Sequence, residues 1–386
     1  MKRIYFIDWL RILAIITVFF FHSSHFFDPI YWHVKNNDQS QTVLVFLGFV
    51  NIWIMPLFFF LSGSAVYFGL GKPFGSYAMG KVKRLLVPLI FGILFLIPPQ
   101  KYVEALANHK FAGGYIDFLK GYFGGWMFDY RMGFNVAWIG AISYHLWFLG
   151  HLFILSLLFY PLPGLLKRHE DSIRRFTLRL TNFRGGVLLL FLPVAVVRVL
   201  LKRHFPEYTG WSDLAAYSFF FLYGYMFIRW EELRNIFARS FSLSLVTGTV
   251  LFVSYIASFS FRGSFLSELF RNNRITGFYI FQESASALAT WAWLIVIITA
   301  GMKYLNFESE RRPVLNEAVL PFYILHQTVL LLVGFIVVQW NWNAWLKFGF
   351  ISLSTLFLIM VIYLFVVKPY NPVRLLFGMR TGDGNR

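Results

Sequence analysis

The sequence predicts an all-α integral membrane protein, a polytopic bundle of about ten transmembrane helices with both termini on the cytoplasmic side. Three observations predict it. First, the 386-residue chain is 58% hydrophobic and only 14% charged, with a mean hydropathy of +0.61. Soluble domains hold about 45–50% apolar and about 25% charged residues, so this chain has too little polar surface to cover a water-facing globule. Second, the apolar residues fall into ten runs of the order of the ~20 residues that cross a ~30 Å hydrocarbon core. Third, the basic residues alternate in density between successive connecting segments. The composition excludes a cytosolic globular enzyme, a disordered chain and a coiled coil. The absence of cysteine excludes a disulfide framework, a thiolate nucleophile and a Cys–metal site.

In order, the runs are 4–27, 43–70, 85–100, 144–166, 186–201, 214–230, 241–261, 276–302, 318–340 and 349–367; the third, fifth and sixth are short. The first is no cleaved signal peptide. It is longer than a ~7–15-residue apolar signal core, contains Asp8 and Arg11, and ends in His-Ser-Ser-His-Phe-Phe. With the amino terminus inside, the inner segments hold 22 Lys/Arg, counting Arg229 at the inner end of its span, against 11 outside, while the acidic residues split 8 to 8. A Lys/Arg excess without an Asp/Glu bias is the positive-inside pattern. The net charge of +17 is therefore assigned to orientation and anionic headgroups, not to nucleic acid. The longest outer connection is 101–143, containing Gly113-Gly114 and Gly124-Gly125-Trp126. The largest inner one is 167–185, carrying Lys167, Arg168, Arg174, Arg175, Arg179 and Arg184. No repeat or soluble insertion interrupts the spans, so residues 1–386 read as one transmembrane domain with a short cytoplasmic tail from about 369 to 386.

Charges at bilayer depth cost ~2.5–3.5 kcal/mol on insertion scales and mark candidate functional positions. Arg11 and His22 stand eleven residues apart on the first run. That is three helical turns plus about 20°, so both lie on one face, roughly 16–17 Å apart along the axis. One stripe offers a fixed cation on the cytoplasmic side and a titratable imidazole near the opposite surface. His25 extends the stripe by a turn. Asp8, one turn before Arg11, is a candidate ion-pair partner, and a purely structural Arg11–Asp8 pair with an interfacial histidine is the alternative reading.

The segment YFIDWLRILAIITVFFFHSSH (5–25) resembles the first helix of the membrane acyltransferase-3 family, whose hallmark is Arg, ten residues, His, met here by Arg11 and His22. MPLFFFLSGSAVYF (55–68), KVKRLLVPLIFG (81–92), SYHLWFLGHLFI (143–154) and NEAVLPFYILHQTVLLLV (316–333) resemble further family segments in the family's order. The nearest branch is that of the glucan-biosynthesis C-type proteins. The resemblance implies an integral membrane O-acyltransferase of the cytoplasmic (inner) membrane. Its donor would be cytoplasmic acyl-CoA, a substrate and not a tightly bound cofactor, and its acceptor a hydroxyl of an extracytoplasmic carbohydrate or glycan. It assigns Arg11 to donor positioning and His22 to catalysis. The family's Arg-x-x-Arg is here Lys81-x-x-Arg84. Both are expected to meet CoA phosphates, with Lys83 as a substitute and ordinary inner-face charge as the alternative. Acetyl and succinyl groups are both open, as is the oligomeric state.

The residues fit that activity on their own terms. A pantetheine arm is about as long as the Arg11–His22 separation. A histidine suits the base that activates an acceptor hydroxyl. No Gly-x-Ser-x-Gly elbow offers a covalent nucleophile, which favours direct transfer. Glu283, an intramembrane acid, is expected to orient His22, with acceptor binding or neutralisation of Arg198 as alternatives. His145 and Trp147 are expected at the outer mouth, or as interfacial belt residues; His151 reads as a core histidine. His326, counted from the inner end of its run, is expected near the depth of Arg11, contacting the donor arm or packing with Gln327. Ser62-Gly63-Ser64 reads as close helix packing. No metal-ligand pattern is present. The competing function is a proton-coupled transporter using Arg11, His22, Glu283 and His326 as a relay.

Overall fold

The computed structural model describes residues 4–67, 69, 71–123, 135–260 and 277–381. Among them the regular structure is helical, with no β-strand. In chain order the helices are α1 (Tyr5–Ser24), α2 (Val43–Tyr67), α3 (Phe74–Ala107), α4 (Tyr115–Gly121), α5 (Ala137–Leu158), α6 (Leu162–Thr181), α7 (Gly186–Leu201) and α8 (Trp211–Arg229). Then follow α9 (Glu231–Arg239), α10 (Phe241–Ser260), α11 (Gly277–Tyr304), α12 (Arg311–Val337), α13 (Ala344–Val367) and α14 (Asn371–Leu376).

Seven of these are long and apolar enough to cross a membrane: α1, α2, α3, α5, α11, α12 and α13. An eighth is counted if α9 and α10, bent by 61° at their junction, form one broken span. The chain is therefore a multi-pass membrane protein, helical in the regular structure of its described residues. Each of the ten apolar runs is largely helical, but α7 is a short apolar helix and α8 dilutes its apolar residues with Asp213, serines and tyrosines. Length and composition alone thus support fewer crossings than ten. On α13, Leu353, Phe357 and Phe365 are about 70% exposed, the apolar outer surface that hydrocarbon tolerates and water does not.

Both long connections contain more structure than their average hydropathy predicts. The 167–185 segment is mostly α6, an amphipathic helix whose apolar and charged faces cancel in a hydropathy window. Glu170 accepts from Arg229 at 2.8 and 2.9 Å and from the Trp230 indole at 3.2 Å. Arg174 pairs with Glu232. The 101–143 segment begins with the last turns of α3, includes α4, and ends in the first turns of α5. Tyr102, Phe111, Tyr115, Phe118 and Tyr122 form its own aromatic cluster. Gly124-Gly125-Trp126 lies outside the described residues.

The chain divides into two compact units. The first comprises 1–10, 48–74 and 154–308. Its tightest contact is between α2 and α8: a Cβ on Gly63 would lie 1.8 Å from the Phe221 carbonyl oxygen, and one on Gly224 1.9 Å from that of Phe60. Ser64 Oγ donates to both the Phe60 and Gly224 carbonyls at 3.0 Å, so the expected small-residue packing at 62–64 brings two backbones together. Trp291 is fully buried and its indole donates to the Val187 carbonyl at 2.7 Å.

The second unit comprises 11–47, 75–153 and 309–386. Within it α1 and α12 lie side by side. Arg11 Nη1 donates to Asn316 Oδ1 at 3.1 Å, and His22 meets His326 eleven and ten residues further along the respective helices. Equal advance on both means that α1 and α12 run in the same direction. The tail beyond 368 is folded onto this unit through α14.

Candidate active site

The site is built from the ends of α1 and α3, the middle of α12, the start of α5, and the 25–36 segment, all within the second unit. Its centre is a chain of hydrogen bonds whose direction follows from one carbonyl. His326 Nδ1 lies 2.6 Å from the Tyr323 carbonyl oxygen. A carbonyl only accepts, so Nδ1 carries the proton, and in a neutral ring Nε2 is then an acceptor. His326 Nε2 is 2.9 Å from His22 Nδ1, so His22 donates there through Nδ1 and keeps a bare lone pair on Nε2. The two rings are nearly parallel, 9° apart, with centroids 5.1 Å apart. The Tyr323 hydroxyl donates to the His145 carbonyl. The His145 ring stands edge-on to His326 at 5.0 Å, with Nε2 3.4 Å from the Ile324 carbonyl and Nδ1 buried without a hydrogen-bond partner among the described residues.

His326 therefore stands at the level of His22, not of Arg11. The expected depth assumed a helix beginning at 318. It begins at Arg311, because Arg311, Arg312 and Glu317 depress the hydropathy of turns that are nonetheless helical. Fifteen residues into α12 is about 22 Å, close to the seventeen-residue position of His22 in α1.

Around this centre the 25–36 segment folds back as a cover. His25 Nδ1 donates to Asp28 Oδ2 at 2.7 Å, the Ile30 amide to Asp28 Oδ1 at 2.6 Å, and Lys35 Nζ stands 3.3 Å from Oδ2. Burial acts to raise the Asp28 carboxyl, but the His25 hydrogen bond and charge, the Ile30 amide and Lys35 outweigh it and hold it below its ordinary value. Trp32 lies nearly parallel to both His22 and His25, with centroids at 6.3 and 5.5 Å. Glu104, near the end of α3, accepts from Tyr31 at 2.9 Å, His33 Nδ1 at 2.8 Å and Tyr144 at 2.5 Å. Burial, with the Glu104 carboxylate beside it, pushes the Tyr31 phenol up to about 12. Gln327 Nε2 lies 3.2 Å from His33 Nε2, tying this cover to α12. Tyr144 holds φ +48°, a left-handed backbone costly for a residue with a Cβ. Its hydroxyl on Glu104 and its ring against His33, 4.6 Å away, hold it there.

The other expected site residues fall as follows. Arg11 is oriented by Asn316 near the beginnings of α1 and α12. Lys81 and Arg84 lie on α3, with Lys81 Nζ 5.2 Å from the Tyr77 ring centroid. Trp147, expected at an outer mouth or in an interfacial belt, is 5% exposed and packs edge-on to His151, a buried position. Glu283 belongs to the first unit, where Arg198 donates to it through Nε at 2.8 Å and Nη2 at 2.7 Å; the structure takes up its carboxylate in that pair. Sequence reasoning missed Asp28, His33, Glu104, Tyr144 and Tyr323. His25 with Asp28, and the Tyr323 carbonyl with His326, are three apart and carry a local signal; the remaining contacts of these residues join positions 40 to 294 residues apart.

Comparison with known proteins matches an acyltransferase domain model over residues 4–364. Glucans biosynthesis protein C of Escherichia coli K12 is 22% identical over 360 residues, covering 90% of this chain and 87% of the relative. The protein of the same name from Shigella dysenteriae serotype 1 matches at the same identity and coverage. No solved structure matches. With the family model spanning nearly the whole chain, including the Arg11–His22 helix and His326, the chain belongs to the acyltransferase-3 family of membrane proteins.

Proposed function

We propose that this protein is an O-acyltransferase of the cytoplasmic membrane that moves an acyl group, acetyl or succinyl, from cytoplasmic acyl-CoA to a hydroxyl of an extracytoplasmic carbohydrate. The observation that carries the reading is the Tyr323 carbonyl–His326–His22 chain, which leaves His22 Nε2 unprotonated and held in one tautomer. In the proposed step Nε2 takes the acceptor's hydroxyl proton as the oxygen attacks the thioester carbonyl. The C–O bond forms, the tetrahedral oxyanion collapses, the C–S bond breaks, and the thiolate takes the proton back from His22. His326 accepts the hydrogen bond of the transient His22 imidazolium, the role a carboxylate plays in a hydrolase triad. A neutral partner stabilises that cation less than a carboxylate does. Arg11, with Lys81 and Arg84, is assigned to the donor.

Ten crossings with both termini inside are part of this reading. They put the Arg11 end of α1 on the donor side and the His22 end on the acceptor side, and they place the first and ninth apolar runs in the same direction, as α1 and α12 run.

The test is transfer of a labelled acyl group from acyl-CoA to a glucan acceptor by protein reconstituted in liposomes. The expected result is transfer by the native protein and a loss of ~10²–10⁴ in rate in His22→Gln, whose amide hydrogen-bonds but takes no proton near neutrality. Near-normal transfer by His22→Gln removes the base role. Substrate-dependent flux without transfer moves the protein to the transporter class.

A further inference from the structure

The chain beyond the last long helix is bound down by a device larger than a tail needs. Arg374 makes three separate contacts: Nη1 to the Lys368 carbonyl at 3.2 Å, Nε to the Arg380 carbonyl at 2.8 Å, and Nη2 to Glu317 at 2.7 Å. Phe377 is 4% exposed, with its ring centroid 5.4 Å from that of Phe91, and Met379 is buried beside it. Gly378 has φ +66°. A Cβ there would lie 2.6 Å from the Arg84 carbonyl oxygen and 2.8 Å from Leu320, so glycine is what lets the segment press against α3 and α12 together.

Two residues later stands Arg380, exposed, its positive charge acting on the Arg84 guanidinium. The Arg84 charge in turn acts on Lys81. Buried apolar side chains, an ion pair and a left-handed glycine thus hold the segment against the Arg84 backbone and bring the Arg380 cation near Arg84, which in turn neighbours Lys81. Like charges at short range repel, and the carboxylate at hand, Glu317, is engaged by Arg374. Glu317 adjoins Asn316, the acceptor for Arg11, so the cluster lies at the Arg11 end of this unit. A phosphate, with up to two negative charges and several acceptor oxygens, is the ligand that relieves such a cluster, and guanidinium forks bind it in bidentate fashion.

We propose that residues 371–380 are a strap that completes an anion site on α3, with Arg380 joining Arg84 and Lys81 around a phosphate group of the acyl donor. This rests on the acyl-CoA reading above, and it adds a binding residue from outside the long apolar helices.

The experiment measures CoA and pantetheine binding by calorimetry, using the full-length protein in nanodiscs of neutral phosphatidylcholine. Arg380→Ala should weaken CoA binding roughly tenfold to a hundredfold, the loss of one charge-assisted contact, and leave pantetheine, which has no phosphate, unchanged. Arg380→Lys should lose less. Gly378→Val, which cannot sit against the Arg84 carbonyl, should reproduce the Arg380→Ala loss in protein that remains monodisperse. Native and Arg380→Ala proteins binding CoA equally overturns the strap while the donor reading stands. An equal loss for pantetheine overturns the phosphate contact. Unchanged CoA binding accompanied by loss of co-purifying phosphatidylglycerol assigns the cluster to a lipid headgroup and overturns the proposal. Native protein that binds no CoA overturns the donor reading itself.

Discussion

Removing the His326 ring leaves His22 Nδ1–H without its acceptor and frees the imidazole to exchange tautomers. His326→Ala should therefore lower the transfer rate by about 10- to 100-fold with little change in acyl-CoA affinity, short of the full general-base contribution of ~10²–10⁴. His326→Gln, whose amide oxygen still accepts, should recover part of it. Single-turnover rates separate these outcomes, and equal rates for the native and alanine proteins would make the pair structural. Glu283 behaves differently. Its carboxylate carries two hydrogen bonds from Arg198, so Glu283→Gln should lower thermal stability more than turnover per folded molecule. The cost should stay below the ~3–5 kcal/mol of breaking a fully buried pair, because the Arg198 side chain keeps 23% exposure. A Glu283→Gln protein that melts normally but has lost transfer would instead make Glu283 part of the chemistry. Asp28 supplies a pH signature. Its carboxyl is held below the ordinary value of about 3.9, so the stability it contributes is fully present above that value and is lost as pH falls through the depressed folded value. Melting temperature followed from pH 6 to pH 3 should fall more steeply in the native protein than in Asp28→Asn; parallel curves would show that the His25–Asp28 contact contributes no stability.

At the scale of the elements, the α2–α8 contact is the most sharply constrained. Gly63 and Gly224 each face a carbonyl oxygen under 2 Å from where a Cβ would stand, so any side chain must push the helices apart. Overpacking of this kind typically costs ~1–3 kcal/mol, occasionally more. Gly63→Val and Gly224→Val should each lower the melting temperature and the yield of monodisperse protein, while Gly80→Val, at a position with open space around it, should not. Equal melting temperatures for all three would mean that the backbones are not in contact. The same pair of helices shows what was legible. Ser62-Gly63-Ser64 reads as close packing from residue size alone, but its partner, 158 residues further on at Phe221, has no local signal. Amphipathic α6 was hidden for the opposite reason: its two faces average to nothing in a hydropathy window. The beginning of α12 was hidden because fully buried Arg312 scores as a charge wherever it stands.

For the whole molecule, the orientation prediction uses the absence of native cysteine. In intact cells, Arg175→Cys and Glu310→Cys should be shielded from an impermeant thiol reagent, and Lys120→Cys should react, if ten crossings put both termini inside. The reverse pattern would invert the topology, and labelling at all three positions would require a different number of crossings. By itself the sequence determined the helical membrane class, the ten apolar runs, the family and the Arg11–His22 stripe. Each of these is a local property, fixed by the hydrophobicity of a window or by spacing within one helix. Only the tertiary structure decided that His326 is the partner of His22, that Glu104 gathers Tyr31, His33 and Tyr144, that Glu283 answers Arg198, and that the tail brings Arg380 to Arg84. Those pairings join residues far apart in the chain, and the depth of each depends on where a helix begins. Hydropathy marks where a helix is apolar; hydrogen bonding and packing set where it starts.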